Sequence, residues 1–390
     1  MKLAFCIFKY FPFGGIQRDL RKLASACALR GHAVRVYTIR WNGPMLDGLE
    51  VRMASVKAMT NHTLYERFAD WVRDDLQRDP VDLVIGMNKM PGLDVYYAGD
   101  SCFEEKAQNQ RGVLYRLTPR YRSFRDAESA VFTAGAGTQI LTISDTYTPH
   151  FRHFYGTEPE RFHRLPPGIE RDRAAVSDTA DRSRRRAEVR SRLGLLDDQL
   201  LLLFIGSGFI KKGLDRVLLA LKAFPEELSS RVRLYVVGKD NPEPFRRMAL
   251  RLGISSLVQF FPDGRDDVPD LLAAGDGAVL PAYDENAGMV ILEAMVAGLP
   301  MLATANCGYA HYIEEAGGGI VTPVPFQQAT FEADLQTLLT SDLRGAWREA
   351  GIRLSQRQEL YSLTDVALDL IERFAAAKAG RRDGVPSPCA

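Results

Sequence analysis

Two carboxylates with seven residues between them, in Glu285-Asn-Ala-Gly-Met-Val-Ile-Leu-Glu293, carry the most chemically suggestive spacing in this chain. The run follows a strand-like stretch at 278–281 and reads as opening a helix through Ala297, closed by Gly298 and Pro300. Eight residues of helical rise span about 12 Å, the scale of a nucleoside-diphosphate sugar from ribose to hexose. An acid just ahead of the helix suits sugar hydroxyls, and the acid two turns on suits ribose hydroxyls. The N–H groups of Ala287, Gly288 and Met289, with the positive helix end, would face the anion between them. A surface helix with two solvated glutamates fits the same residues, because helices are rich in Glu.

Other loops supply the charge that such a ligand needs. In Gly206-Ser-Gly-Phe-Ile-Lys-Lys-Gly213, Lys211 and Lys212 stand at a helix entrance. A departing diphosphate gains negative charge that lysines there would neutralise, as point charges rather than forks. Gly238-Lys239-Asp240 and the loop carrying Arg265 offer walls for a nucleobase and its phosphate, or are ordinary capped turns. Near the start, Lys9-Tyr-Phe-Pro-Phe-Gly-Gly15 leads into a helix bearing Asp19. Paired glycines let backbone approach a ligand, although a simple tight turn reads the same. No dinucleotide or P-loop fingerprint is present. Asp100, after Tyr96-Tyr97-Ala98-Gly99, is the candidate carboxylate for a reaction centre, or else a helix N-cap.

These residues need a frame, and the alternation of apolar runs with amphipathic stretches predicts one. In the first half, residues 3–8, 33–39, 82–87 and 139–143 read as strands, with helices at 16–30, 64–78 and from Asp145. Pro166-Pro167-Gly168 breaks the pattern, and the arginine-rich stretch 169–192 reads as an inter-domain passage. A second series of strands follows at 200–206, 232–238, 258–261, 277–280, 300–304 and 319–322. The expectation is an α/β protein with two Rossmann-like, doubly wound domains facing across a cleft. The domains are placed at 1–166 and 167–356, with a helix near 357–377 crossing back and a disordered tail at 378–390.

Residues 106–125 contain six basic residues (Lys106, Arg111, Arg116, Arg120, Arg122, Arg125) and no acid, interleaved with Leu114, Tyr115, Leu117, Tyr121 and Phe124. Basic residues beside aromatics suit an anionic bilayer, with rings at the headgroup level and charges on phosphates. Nucleic acid competes for the same composition, and a helix packing its rings inward is the third reading. Pro119 argues against one straight helix.

With 390 residues, 46% apolar and 25% charged, the chain has core material for two domains. Its five cysteines are scattered and never paired as Cys-x-x-Cys, which points to a reducing compartment and away from a disulfide frame or zinc site. The apolar run at 3–8 is cut by Lys9, too short for a signal peptide, and nothing approaches the ~20 apolar residues of a membrane span. The expected place is the cytoplasm.

Several strings then carry a resemblance: Phe8-Lys-Tyr-Phe-Pro-Phe-Gly-Gly-Ile-Gln-Arg-Asp19, Asn88-Lys-Met-Pro-Gly-Leu-Asp-Val-Tyr96, Leu165-Pro-Pro-Gly-Ile169 and Cys307-Gly-Tyr-Ala-His-Tyr-Ile313. From Met1 to about Phe374 the chain resembles the lipopolysaccharide core glucosyltransferase I family of retaining, two-domain GT-B enzymes. The resemblance implies metal-independent transfer of a hexose, glucose by default, from a UDP-sugar to a heptose of the inner core. It implies no cofactor, no nucleic acid partner, and a peripheral position on the inner face of a Gram-negative inner membrane. Carried over by position, Gly15, Asp19 and Arg173 would contact the donor. Lys212, with Lys211 beside it, would bind the diphosphate, Glu285 the donor sugar and Glu293 the ribose. Asp100 would sit near the anomeric carbon and acceptor. Lys211 departs from the arginine usual there. Asn286 replaces a small apolar residue beside the sugar-holding acid, which leaves an amino sugar or galacto-configured donor open. A transferase acting on a soluble glucan or mannoside, a sugar-nucleotide epimerase and a catalytically silent membrane scaffold are the competing functions.

Overall fold

The computed structural model describes residues 1–12, 14–175 and 178–382. The chain divides into two compact units: Met1–Pro166 together with the segment from Ser362 onward, and Pro167–Tyr361. The returning segment is the Leu363–Arg382 helix, which starts later than expected, since Gln358–Tyr361 is a short 3-10 turn of the second unit. It also ends later. The expected tail is helical through Arg382, and its residues 383–390 lie outside the described residues.

The first unit holds β1 (Lys2–Tyr10), β2 (Ala33–Trp41), β3 (Leu49–Met53), β4 (Leu83–Gly86), β5 (Val95–Ala98), β6 (Gln139–Thr142) and β7 (Phe162–Arg164). They form one parallel sheet in the order β3-β2-β1-β4-β5-β6-β7. Alternation along β1 divides its side chains between two layers. Leu3, Phe5 and Ile7 pack with Leu20, Leu23 and Cys27 of the Gly15–Leu29 helix and with Leu363, Ala367 and Ile371 of the returning helix. Ala4 and Cys6 face Phe68 and Val72 of the Asn61–Arg78 helix. The edge strands β3 and β7 escape an apolar-run criterion, because charged residues interrupt them and one side of each is unpaired.

The second unit holds β8 (Leu200–Ile205), β9 (Val232–Val237), β10 (Val258–Phe261), β11 (Gly277–Leu280), β12 (Met301–Thr304) and β13 (Gly319–Thr322). Their order is β10-β9-β8-β11-β12-β13, again parallel. In each sheet the strand order reverses beside its first strand, between β1 and β4 and between β8 and β11. Ligands of open α/β sheets bind at the carboxyl ends of the strands at such a reversal.

The arginine-rich passage is not a plain linker. The Thr179–Arg192 helix occupies it, with Asp178 accepting from the Asp181 N–H at 2.9 Å. Arg186 and Arg190 reach the buried Asp276, just ahead of β11, at 2.8 and 3.0 Å, and Arg344 joins them at 2.9 Å. Polarity there reflects a hydrogen-bonded layer on the sheet.

The basic stretch is also built differently from a single amphipathic helix. It comprises the Phe103–Gln110 helix, a 3-10 turn at Val113–Leu117, and the Pro119–Phe132 helix, with Pro119 in the first turn where its missing N–H costs nothing. Tyr121, expected at the headgroup level, is buried. Its hydroxyl donates to Glu104 at 2.8 Å and its ring lies against Phe103 and Tyr115. Tyr115 and Arg116 are half-buried, as is Lys106, while Arg111, Arg120, Arg122 and Arg125 are exposed.

Candidate active site

In the second unit the two loops at the strand reversal carry the predicted charges. The loop after β8 places Lys212 so that its Nζ pairs with Glu285 from the loop after β11, both side chains largely sheltered. Lys211 reaches Asp284 at 3.3 Å. The two loops are also stitched by backbone, with the Tyr283 N–H donating to the Lys211 carbonyl at 2.8 Å. Gly213, at φ 76°, permits this approach: an added Cβ would lie 2.0 Å from the Pro281 oxygen. Gly238, after β9, packs on the same loop, its missing Cβ 2.3 Å from the Gly206 oxygen. The neighbouring Asp240 accepts the Phe209 N–H at 2.7 Å.

The helix after Glu285 is shorter than the sequence implies. It spans Met289–Val296, begins at Gly288 with φ 83°, and no side chain caps it. Residues 285–288 are therefore loop, and the helical-rise distance between the two glutamates does not apply. The loop is held from the next strand instead: Gly308 N–H donates to the Glu285 carbonyl at 3.3 Å and Tyr309 N–H to the Ala287 carbonyl at 2.8 Å. Burial pushes the adjacent Cys307 thiol up to about 11, so it serves as a neutral packing group. Asn286 and Glu293 are both buried, at 7% and 8% exposure.

Two residues were not legible as part of this cluster. Arg216 donates to the Pro281 and Ala282 carbonyls at 2.9 and 3.2 Å and stacks on Tyr283, its guanidinium 3.6 Å from the ring centroid. Asp215 accepts the Tyr283 hydroxyl at 2.7 Å; burial, and then this bond, raises the tyrosine pKa. Two others lie elsewhere in the unit. Arg265 forks onto Asp267 at 2.6 and 2.5 Å, over the Phe261 ring, in a groove lined by Arg192, Tyr235 and Gln259. That hydrogen bond holds the Asp267 carboxyl below its usual value. Arg173 lines a cavity with Arg182, Arg185, Arg348 and Ala297, beyond the last turn of the Met289–Val296 helix.

In the first unit, Asp19 and the Asp100 loop are drawn together. The Tyr97 hydroxyl donates to Asp19 at 2.8 Å, and Gly99 packs on Ile16, where a Cβ would sit 2.8 Å from that side chain. Gly15 is different, since a Cβ there would meet nothing within 4 Å. Asp100 follows β5 at its carboxyl end and is not a helix cap, because the Phe103–Gln110 helix begins after Cys102.

Residues 185–354 match the family described as Glycosyl transferases group 1. The chain is 47% identical over 373 residues to the lipopolysaccharide glucosyltransferase WaaG of Escherichia coli K12, covering 95% of this chain and 98% of that one. The crystal structure of WaaG, a glycosyltransferase involved in lipopolysaccharide biosynthesis, superposes with a TM-score of 0.89 at 46% identity over 95% and 99% of the two chains. The Anabaena protein HepE, solved with UDP-glucose, shares the fold at TM-score 0.71 and 17% identity over 96% and 100% of the chains.

Proposed function

The chain belongs to the lipopolysaccharide core glucosyltransferase family, and from that premise we propose that it transfers a hexose, glucose by default, from a UDP-sugar to a heptose of the lipopolysaccharide inner core. The observation that carries this reading is the pairing of Lys212 with Glu285 at the β8/β11 reversal, within a chain 47% identical to a lipopolysaccharide glucosyltransferase over 95% of its length.

In this reading Lys212 and Lys211 bind the diphosphate, Glu285 the hexose hydroxyls and Glu293 the ribose. Gly15 and Asp19 contact the donor from the first unit, and Asp100 faces the anomeric carbon and acceptor. The anomeric configuration is retained by front-face displacement. The departing phosphate oxygen takes the acceptor proton while the lysines and the uncapped helix start at Gly288 absorb its charge. These fixed cations give the reaction its charge stabilisation without a metal ion.

The enzyme works as a peripheral protein on the cytoplasmic face of the inner membrane. Supporting this, Val113, Leu114 and Leu117 are 77%, 79% and 67% exposed and are flanked by the exposed Arg111, Arg120, Arg122 and Arg125. Among the described residues no helix is long and apolar enough to cross a membrane.

A mass-spectrometric donor screen tests the function, with truncated core lipopolysaccharide as acceptor and a panel of UDP-hexoses. One hexose should be added, with the α-anomer of the donor kept and chelator without effect. Absence of transfer from every donor, or epimerised UDP-sugar formed without acceptor, overturns the assignment.

A further inference from the structure

We propose that Glu128 and Lys89 are positioning residues that fix the loop carrying Asp100; this rests on the reading of Asp100 as the residue facing the reaction centre. Glu128, on the Pro119–Phe132 helix, has a fully buried side chain that is the common acceptor for donors from three surrounding segments. One oxygen receives Lys89 Nζ at 2.5 Å and the Phe103 N–H at 2.8 Å. The other receives the Glu104 N–H at 3.0 Å and the Tyr155 hydroxyl at 2.7 Å. The carboxylate thus takes the place of the side-chain cap that Cys102 does not provide at the start of the Phe103–Gln110 helix. Lys89 completes the tether by donating to the Ser101 carbonyl at 2.6 Å.

Burial would raise the Glu128 carboxyl, yet Lys89 and the converging donors hold it below its ordinary value. Asp100 stands between two fixed points, Gly99 against Ile16 and Ser101 on Lys89. The arrangement also gives a purpose to the Asn88-Lys-Met-Pro-Gly string. Asn88 accepts the Phe8 N–H at 2.9 Å, anchoring this loop to β1 while Lys89 reaches the next one. A small shift in a reacting group is enough to slow a reaction severely.

The test uses the full-length protein with Glu128→Gln, the paired Lys89→Met/Glu128→Met, and Asp100→Asn. Thermal midpoint, kcat and KM for UDP-glucose, and exchange of the Phe103 and Glu104 amides are read for each. Glu128→Gln should lower kcat at least about tenfold, keep the donor KM within about twofold, and speed exchange at both amides. The paired variant removes both charges but leaves the Phe103 and Glu104 amides and the Tyr155 hydroxyl without their acceptor, so neither the thermal midpoint nor kcat should return to the wild-type value. Recovery of kcat together with the midpoint, or an unchanged kcat in Glu128→Gln, overturns the positioning role. If Asp100→Asn keeps full activity, the reading of Asp100 itself falls. If Asp100→Asn is inactive while the paired variant turns over normally, only the positioning role falls.

Discussion

Lys212 and Glu285 pair with one another, so under the proposed function a donor would replace each partner, with phosphate oxygens for the lysine and sugar hydroxyls for the acid. Lys212→Ala and Glu285→Gln should each lower kcat/KM by about 10²–10³-fold while circular dichroism stays native; near-normal turnover in both removes these roles. Glu293→Gln is expected to behave differently, raising the UDP-sugar KM about tenfold with little change in kcat, because the ribose is remote from the breaking bond. Initial-rate kinetics separate the two patterns. The approach of Lys212 to Glu285 was legible because both stand in loops ahead of a helix, whereas the helical spacing from Glu285 to Glu293 was not, because residues 285–288 are loop. Nor was Arg216, since its partners are carbonyls 65 and 66 residues away across the sheet. Arg265 shows the reverse. It looks available in sequence, but Asp267 beside it holds the guanidinium at 2.5 Å; Arg173 has Asp172 only at 3.6 Å, and its Nε and one terminal nitrogen are buried without a hydrogen-bond partner among the described residues.

Loops between elements set how closely these charges approach. Gly213→Ala would put a methyl group against the Pro281 carbonyl at a left-handed backbone position, so it should cost about 1–3 kcal/mol and raise the donor KM. Urea midpoints and binding titrations check both effects, and a neutral result would mean that the loop relaxes freely. A second tie joins β2, β3 and the end of the Asn61–Arg78 helix, where Arg52 reaches Glu50, Asp75 and Asp79 and the buried Arg35 joins Glu50 and Asp79. Hydrogen bonding from Arg52 holds Asp79 below its ordinary value, and Asp75 is lowered too, although burial opposes this. Depressed folded values mean that the stabilisation is present above the unfolded pKa of about 4 and is lost as pH falls through the folded values. The urea midpoint should therefore drop below about pH 4, and Arg52→Met should flatten that drop. Most central strands were legible because buried parallel strands are continuous apolar runs, although β5, only four residues long, was not among those read. The Thr179–Arg192 helix was not legible, because its sheltered face carries Arg186 and Arg190 beside Val189, and the arginines' partner, Asp276, lies far along the chain.

At the scale of the molecule, the exposed Val113, Leu114 and Leu117 with their flanking arginines define how the protein would meet a lipid surface. Flotation should require anionic lipid, weaken with added salt and be reduced by Arg122→Glu/Arg125→Glu, each basic residue contributing about 1 kcal/mol. Equal binding to neutral vesicles would reject the electrostatic part. The two-unit plan was legible from the strand–helix alternation and the proline break. The burial of Tyr121 was not, because the acid receiving its hydroxyl, Glu104, lies just outside the basic stretch.

The return of the Leu363–Arg382 helix to the first sheet also bears on how the protein is made. Leu363, Ala367 and Ile371 belong to the core around β1, yet the ribosome must add roughly 200 further residues after Pro166 before they emerge. At about 5–20 residues per second that is a wait on the order of 10–40 s, during which the nascent β1 layer has an uncovered apolar face. The unit begun first is thus the last to be completed, and chaperone capture during translation should fall on that half of the polypeptide.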